Sequence, residues 1–289
     1  MIETQAGHPL RRRQIVLHEC LMKVRPASLA ALLKRILRIR RMVAKTPYGQ
    51  FWIDPVSHFG GTINRHGLYE QNMINTMHKL LFPGANFVDI GSNEGYFTVI
   101  AARLVGPAGR VISIEPQERL LPVLDRNLQL NGIEGARVLN IAISDRSGEG
   151  GLRLSPDTNT GASALDRGVT KYPLRRQAVA TRRLGDVLNE EGMDHVDLMK
   201  VDIEGSEYEA LLGSPEIFEQ HRIRALALEL HPSRLAARSK RALDITDMLA
   251  SYGYRYTVDE GNSVWIAPSH SEAGALSART NRSIDRITP

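Results

Sequence analysis

The sequence predicts an α/β fold in which helices cover both faces of a mainly parallel sheet. Short apolar runs of strand length alternate with helical runs between residues 86 and 252, and this alternation is typical of parallel sheets. A glycine-containing loop joins the first of these strands to the helix that follows it. Near the C-terminus, two strand-like runs flank the turn sequence at 259–262, which predicts an antiparallel hairpin at one edge.

Each element is predicted from its apolar periodicity and from the turn residues at its ends. The expected strands are 50–53, 86–90, 110–114, 137–143, 196–201, 224–230, 254–258 and 263–267. The expected helices are 69–81, 95–104, 118–130, 184–191, 243–252 and one that begins at Tyr208. Residues 46–49 and the pair Gly60-Gly61 are expected turns, because glycine and proline favour them. Residues 145–172 are rich in Gly, Ser and Thr and show no helical pattern.

The chain is expected to divide into four segments. Residues 1–45 are a basic, helical extension, and 46–84 are a cap region with a strand and a helix. Residues 85–268 are the main domain, which contains the alternating strands and helices. Residues 269–289 have few large apolar side chains and are expected to form a flexible tail.

The composition excludes several classes of protein. Of 289 residues, 42% are hydrophobic and 24% are charged, which excludes a largely disordered chain. Cys20 is the sole cysteine, so neither an internal disulfide nor a cysteine-based zinc site can form. No apolar run approaches the ~20 residues of a membrane-spanning helix, and the first 13 residues do not resemble a signal peptide. A cytoplasmic location is therefore expected.

The positive charge is concentrated near the N-terminus. Residues 1–50 contain eleven Lys or Arg and two acids, a balance of +9, while the whole chain carries +5. Five apolar side chains recur at helical spacing between these cations: Leu29, Leu32, Leu33, Ile36 and Leu37. This pattern predicts a basic amphipathic helix. Its apolar stripe either packs on the main domain, the usual role of such stripes, or makes peripheral contact through residues 29–45 with an anionic membrane or an acidic partner.

The loop after the first strand of the main domain has the composition of a cofactor site. Its spacing is Asp89-x-Gly91-x-Asn93-x-Gly95. A dinucleotide fingerprint requires G-x-G-x-x-G, whereas Asn93 and Tyr96 replace its second and third glycines. An acid before the glycines suits a cationic cofactor better than a pyrophosphate. Glu115, at the end of the next strand, can accept hydrogen bonds from both ribose hydroxyls, so the two features predict a nucleoside-bearing cofactor.

Ionisable residues follow two later strands at their carboxyl ends, where open α/β sheets bind ligands. Asp202 and Glu204 follow one strand, and Glu229 and His231 follow the next. Because alternate residues of a strand share a face, the four side chains are expected at one crevice. They could supply a general base for a hydroxyl nucleophile, or oxygen and nitrogen ligands for a divalent metal. The alternative is a structural role, in which these side chains are charges at strand ends and one acid caps a helix N-terminus.

These motifs resemble those of the FkbM-type methyltransferase family over residues 46–267. Segment 200–207, Lys-Val-Asp-Ile-Glu-Gly-Ser-Glu, resembles the family's Lys-hydrophobic-Asp-hydrophobic-Glu-Gly-small-Glu signature. Other similar segments are 67–70, 89–98, 142–145 and 159–163. One departure is Gly185, which separates Leu184 from Asp186 where the family often has Leu-Asp. The resemblance implies a class I methyltransferase (Rossmann-like) fold of seven strands, with its domain at 85–268, and S-adenosylmethionine as methyl donor.

The resemblance also implies residues of the site. Those expected to bind the cofactor are Glu70, Asp89, Gly91, Ser92, Asn93, Gly95, Tyr96, Glu115, Pro116, Asn140, Ala142 and Asp202. Those expected near the substrate are Asn159, Ser163, Glu204, Glu229 and His231. The catalytic candidates are His231, Asp202 and Glu204, in that order. A divalent metal is left open, and its candidate ligands are Asp202, Glu204, Glu229 and His231.

The expected reaction is O-methylation of a hydroxyl on a sugar or secondary metabolite, as in natural product biosynthesis. The acceptor oxygen attacks the methyl carbon in line, a base assists, and S-adenosylhomocysteine leaves. The alternatives are an RNA or protein methyltransferase and a non-catalytic S-adenosylmethionine-binding protein. A nucleic-acid acceptor is not expected, because the Asn/Asp-Pro-Pro-aromatic element of base methyltransferases is missing after residue 201. Asn93 and Tyr96 disfavour an NAD-dependent oxidoreductase.

Overall fold

In a computed structural model, which describes residues 20–21, 24, 27–166, 175–259 and 261–268, a seven-stranded sheet runs through the centre of the protein. With strands numbered along the chain, their spatial order is β12 (Arg255–Asp259), β13 (Asn262–Ile266), β11 (Ala225–Leu228), β10 (Leu198–Val201), β3 (Asn86–Ile90), β4 (Arg110–Ile114) and β5 (Ala136–Leu139). The last five are parallel, and β13 is antiparallel to both β11 and β12. The predicted fold class, a mostly parallel sheet of seven strands with an antiparallel hairpin, is confirmed.

Helices cover both faces of this sheet, and α1 (Ala27–Ile36) lies before them in the chain. The other helices are α2 (His58–His66), α3 (Gln71–Leu80), α4 (Tyr96–Val105), α5 (Leu121–Leu130), α6 (Leu184–Glu190), α7 (Glu207–Leu212), α8 (Pro215–Glu219), α9 (Pro232–Ala236) and α10 (Ala242–Ser251). Alternate residues of the central strands point to opposite faces of the sheet and pack in different hydrophobic cores. Val88 and Ile90 pack with residues of α6, α7, α8 and α10, while Phe87 packs with residues of α2, α3, α4 and α5. Both faces are therefore buried, as expected for a parallel sheet.

A second, four-stranded sheet lies beside the main one and was not predicted. Its strands are β6 (Ala142–Ile143), β7 (Gly148–Leu154), β8 (Ala164–Leu165) and β9 (Arg175–Arg182). The expected strand at 137–143 is wrong in its extent, because β5 and β6 divide it between the two sheets. Three glycines weaken the strand signal of β7, and most side chains of β9 are polar. A 3-10 segment, Asp157–Ala162, connects β7 and β8.

The cap region begins with a hairpin of β1 (Met42–Thr46) and β2 (Gly49–Ile53). The expected strand at 50–53 is present, whereas β1 was not predicted and contains the expected boundary at residue 45. The expected turn at Gly60-Gly61 is wrong, because both glycines lie inside α2. A Cβ on Gly60 would stand 2.0 Å from the carbonyl oxygen of Asp54, so glycine allows α2 to approach that backbone.

Helix α1 confirms the predicted basic amphipathic helix but not its packing. Leu29, Leu32 and Ile36 remain 42%, 53% and 64% exposed, so the expectation that this stripe packs on the main domain is wrong for them. No helix in the described part of the chain has the length and apolarity to cross a membrane. The first 19 residues and the expected flexible tail at 269–289 lie outside the described residues.

We expect Gly60→Ala to lower the free energy of unfolding by about 1–3 kcal/mol, as overpacking usually does. The helix propensity of alanine opposes this effect by only ~1 kcal/mol. Urea unfolding followed by circular dichroism measures the difference. Gly135→Ala is the control, because a Cβ there has no neighbour within 4 Å. Equal stability of the two variants would contradict the close approach.

Candidate functional site

The glycine loop between β3 and α4 is held tightly against the end of β10. The Asp202 amide donates a hydrogen bond to the Ile90 carbonyl at 3.1 Å. Gly91 has φ +85°, and a Cβ there would lie 2.0 Å from the Asp202 carbonyl oxygen. Gly95, which caps α4, also has a left-handed backbone with φ +80°. Residues with a side chain adopt this conformation at a cost, so both glycines are required by the turn itself.

Glu115 directly follows β4, and its carboxylate holds the backbone of two segments. The amides of Asn93 and Gln117 donate to its Oε2 and Oε1 at 2.7 and 2.9 Å. Burial raises the pKa of Glu115 to about 7, although these hydrogen bonds oppose the shift. Each carboxylate oxygen has a second acceptor position, so Glu115 retains the capacity to accept from a ligand.

A cavity of about 870 Å³, a volume that includes space open to solvent, lies beside the loop. The predicted residues that line it are Glu70, Gly91, Ser92, Asn93, Tyr96, Glu115, Pro116, Ala142, Ser163 and Asp202. One part of the wall is apolar and contains Ile114, Ile141, Ile143, Leu152 and Leu165. The aromatic residues of the wall are Phe59, Tyr69, Tyr96 and Phe97. The cavity therefore offers acids to a cation and an apolar wall to a flat ring.

Other predicted residues lie away from the described lining. Asp89 is fully buried, where its Oδ2 accepts from the Thr98 hydroxyl at 2.8 Å. Its Oδ1 has no hydrogen-bond partner among the described residues, and burial raises its pKa. Asn140 donates to the Glu115 carbonyl at 2.9 Å, and Asn159 lies in the 3-10 segment. Like Gly95, these residues support the walls of the cavity from outside.

Arg41 connects the segment after α1 to the glycine loop, which sequence reasoning did not predict. Its guanidinium donates to both carboxylate oxygens of Glu94 at 2.9 Å and to the Trp52 carbonyl at 3.0 Å. The Glu94 side chain is 1% exposed, and the Arg41 guanidinium also stacks over the Trp52 ring. A bidentate pair of this kind holds both partners in a defined orientation. No sequence signal pairs these residues, which are 53 positions apart.

Lys200 is a further site residue that was not among the predicted ones, although it begins the 200–207 signature. Its side chain is 7% exposed, its Nζ lies 3.3 Å from Asp202 Oδ2, and it stands 5.2 Å from the centre of the Phe97 ring. Burial lowers its pKa, but the charges of Asp202, Asp89 and Glu70 outweigh burial and raise it. Lys200 is therefore a buried, permanent cation in the cavity wall.

A second cleft, of about 1,190 Å³, adjoins the first cavity and shares Glu70 and Lys200 with it. Its walls come from the start of α3, the ends of β10 and β11, and the β12–β13 hairpin. The polar side chains that line it include Gln71, Asn72, Glu229, Asn262 and Ser263. Asp259 accepts from Thr76 and Lys79, both at 2.7 Å, and thereby fixes the hairpin to α3.

The predicted acidic cluster assembles in part at the boundary of the two cavities. Asp202 lines the first and Glu229 the second, and their carboxylates and His231 offer ligand atoms within 4.8 Å of one another. Burial raises the pKa of Glu229, and the charge of Asp202 raises it further. The nearby negative charge disfavours the ionised form of Glu229. Glu204 and His231 are not among the described residues that line either cavity.

His231 is held between carboxylates. Its Nδ1 donates to Glu207 Oε1 at 2.8 Å, and its Nε2 lies 3.3 Å from Glu204 Oε2. Burial lowers the pKa of His231, but Glu207 and Glu204 outweigh burial and raise it above the ordinary 6.5. The carboxylates therefore favour the charged form of the imidazole, in which both ring nitrogens donate. Glu204 also forms an ion pair with Arg234 at 2.8 Å, so its carboxylate is less available to accept a proton or bind a metal.

A family model described as the methyltransferase FkbM domain matches residues 89–256, more than half of the chain. The AMB antimetabolite synthetase AmbE of Pseudomonas aeruginosa is 26% identical, over 67% of this chain and 11% of that protein. Methyltransferase sdnD of Sordaria araneosa is 30% identical, over 45% of this chain and 60% of that protein.

A third similar protein is the 31-O-demethyl-FK506 methyltransferase FkbM of Streptomyces tacrolimicus. It is 28% identical, over 52% of this chain and 67% of that protein. The chain spans 11% of the synthetase and 60% of the Sordaria protein, so these similarities concern part of each relative.

We expect Arg41→Met to lower the free energy of unfolding by about 3–5 kcal/mol, because Glu94 would remain buried without its cation. Denaturant unfolding measures the change. Arg40→Met is the matched control, since Arg40 is exposed and its variant should differ from wild type by less than ~0.5 kcal/mol. Adding Glu94→Gln to Arg41→Met should restore part of the loss. A stable single variant would show that the pair does not support the loop.

Proposed function

The chain belongs to the methyltransferase FkbM domain family, and we propose that it transfers a methyl group from S-adenosylmethionine to a hydroxyl oxygen of a small, polar molecule. The observation that carries this proposal is the pair of adjoining cavities, which share Glu70 and Lys200 as a common wall. One cavity has the walls of a cofactor site, and the other has the polar walls of an acceptor site. The name of the Streptomyces relative identifies an oxygen as its methylated atom.

The residues of the first cavity suit S-adenosylmethionine, which supplies an electrophilic methyl carbon when it is bound. Glu115 would accept from the ribose hydroxyls, and the apolar wall around Ala142 and Ile143 would contact the adenine. Glu70 and Asp202 would face the cationic amino acid portion. Asn93 supports this assignment, because its Oδ1 accepts from Thr160 and so joins the loop to the 3-10 segment that covers it. These side chains bind and orient the cofactor.

The second cleft would bind and orient the acceptor. The amides of Gln71, Asn72 and Asn262 and the hydroxyl of Ser263 can each donate and accept, as recognition of a polyhydroxylated molecule requires. Alignment of two reactants in this way supplies much of the rate enhancement of a displacement reaction. A sugar or a hydroxylated secondary metabolite fits this chemistry.

The Asp202–Glu229 pair is our candidate for the group that receives the hydroxyl proton. The two carboxylates lie where the cavities meet, and the raised pKa of Glu229 makes it a stronger proton acceptor than an ordinary carboxylate. Lys200 would hold Asp202 in place through its 3.3 Å contact. His231, which contacts Glu207 and Glu204, would hold these acids in position rather than act as the base. Within this proposal, residues 85–268 are the methyltransferase domain and 46–84 are its cap.

The direct test incubates the full chain with S-adenosylmethionine and a panel of methyl glycosides and hydroxylated aromatic compounds. Release of S-adenosylhomocysteine that requires one of these acceptors would support the proposal. Binding of S-adenosylhomocysteine by calorimetry, with methylation confined to added RNA or protein, would overturn the acceptor class. Absence of binding would overturn the cofactor assignment.

We expect the affinity for S-adenosylhomocysteine to depend on pH through Glu115. Only the ionised carboxylate accepts from both ribose hydroxyls, and with a pKa of about 7 it is mostly protonated at lower pH. The Kd should therefore rise about tenfold between pH 8 and pH 6, as titration of one group predicts. Calorimetry at both pH values measures this rise. Glu115→Gln should bind more weakly and without that pH dependence, and the same dependence in both proteins would contradict the role of Glu115.

We expect Glu229→Gln to lower kcat about 100-fold or more, the usual effect of losing a general base, with little change in S-adenosylhomocysteine affinity. Turnover of the wild type should fall as pH decreases through the raised pKa of Glu229, because the base must be ionised. Steady-state kinetics with an acceptor from the panel measure both effects. His231→Ala should retain this acidic limb, and Glu134→Gln, at an exposed position, is the control. Loss of turnover in His231→Ala alone would make His231 the base.

A further inference from the structure

We infer that α1 and the segment after it, residues 27–45, form a docking surface for an anionic lipid bilayer. The surface is defined by its exposed apolar residues, Leu29, Leu32, Ile36, Leu37 and Val43. They are five of the nine large hydrophobic side chains that are exposed in the described residues. Clustering of this kind marks an interaction surface, whereas scattered exposed apolar residues do not.

The apolar side of this surface is held outward by contacts on its inner side. Ala30 is 1% exposed and packs inward, and Lys34 forms an ion pair with the nearly buried Asp54. Arg41 is fixed to Glu94 and Trp52. Rotation of α1 to bury its leucines would break the Lys34–Asp54 pair and leave a buried carboxylate without its cation. The exposure of the leucines is therefore a property of the folded chain.

The charge of the same segment favours an anionic lipid surface as the occupant. No acid occurs between residues 20 and 53, whereas Lys34 and Arg41 pair with acids of the main domain. Arg35, Arg38, Arg40 and Lys45 are exposed, and the described residues give them no ion-pair partner. An apolar edge flanked by cations is the arrangement with which interfacial helices bind headgroups and acyl chains together.

A second copy of the chain is a poorer occupant. Pairing two copies of this surface would bring the same uncompensated cations together, and like charges at an interface oppose association. An acidic protein could satisfy the cations, but a bilayer also accepts the leucines without a groove of matching shape. This docking surface does not depend on the proposed methyl transfer.

The experiment sediments the full chain with vesicles of phosphatidylcholine or of phosphatidylglycerol. The wild type should bind the anionic vesicles at least about tenfold more strongly, and added salt should weaken the binding. Leu32→Ser with Ile36→Ser should reduce binding about tenfold, as loss of buried apolar area predicts. Arg35→Gln with Arg40→Gln should reduce it to a similar extent. All four side chains are exposed, so these variants should retain the wild-type melting temperature.

Two matched variants control for unspecific effects. Leu243→Ser removes a leucine of similar exposure, 52%, from α10, and Arg126→Gln removes an exposed arginine from α5. Both should bind anionic vesicles as the wild type does. Equal binding by the Leu32/Ile36 variant and by wild type would overturn the proposal. The proposal would also be overturned if light scattering showed wild-type dimers that the Leu32/Ile36 variant no longer forms. Binding of an acidic polypeptide without binding of phosphatidylglycerol vesicles would overturn it as well.

Discussion

The close contact between Gly91 and the backbone of Asp202 is the constraint on which the site depends. It joins the ends of β3 and β10. No side chain fits at position 91, because its Cβ would lie only 2.0 Å from the carbonyl oxygen of Asp202. Because these strands are adjacent and parallel, the contact places the glycine loop beside the acidic segment after β10. Asn93 can then reach Glu115 and Thr160, and the cavity forms between these contacts.

The site contains more acidic side chains than cationic ones, and each of two cations lies close to particular acids. Glu94 is neutralised by Arg41, and Lys200 lies among Asp89, Asp202 and Glu70. Charges removed from water need such partners, and the loss of one partner leaves a large electrostatic penalty. The balance that remains is negative, which matches a cationic cofactor. After methyl transfer, the sulfur of S-adenosylhomocysteine is a neutral thioether. The product would therefore be attracted less strongly than S-adenosylmethionine, and this difference favours its release.

Two cavities meet at one boundary in this structure. Glu70 and Lys200 belong to both walls, whereas Asp202 lines one cavity and Glu229 the other, and the two carboxylates lie close together. Under the proposed function, acceptor recognition would fall to α3 and the C-terminal hairpin, which Asp259 connects. Variation in those two elements could change the acceptor without disturbing the cofactor loop.

The sequence by itself determined the parts of the protein that depend on local pattern. Apolar periodicity located β3, β4, β10 and most helices, and the glycine spacing located the cofactor loop, because each signal lies within one short segment. Tertiary structure alone decided which distant groups meet. It placed Gly60 in a helix that lies close to the backbone of Asp54, paired Arg41 with Glu94, and turned the leucines of α1 outward. It also gave His231 its two carboxylate neighbours, Glu207 and Glu204, which raise its pKa. These outcomes depend on packing and charge between residues far apart in the chain, and local periodicity carries no information about them.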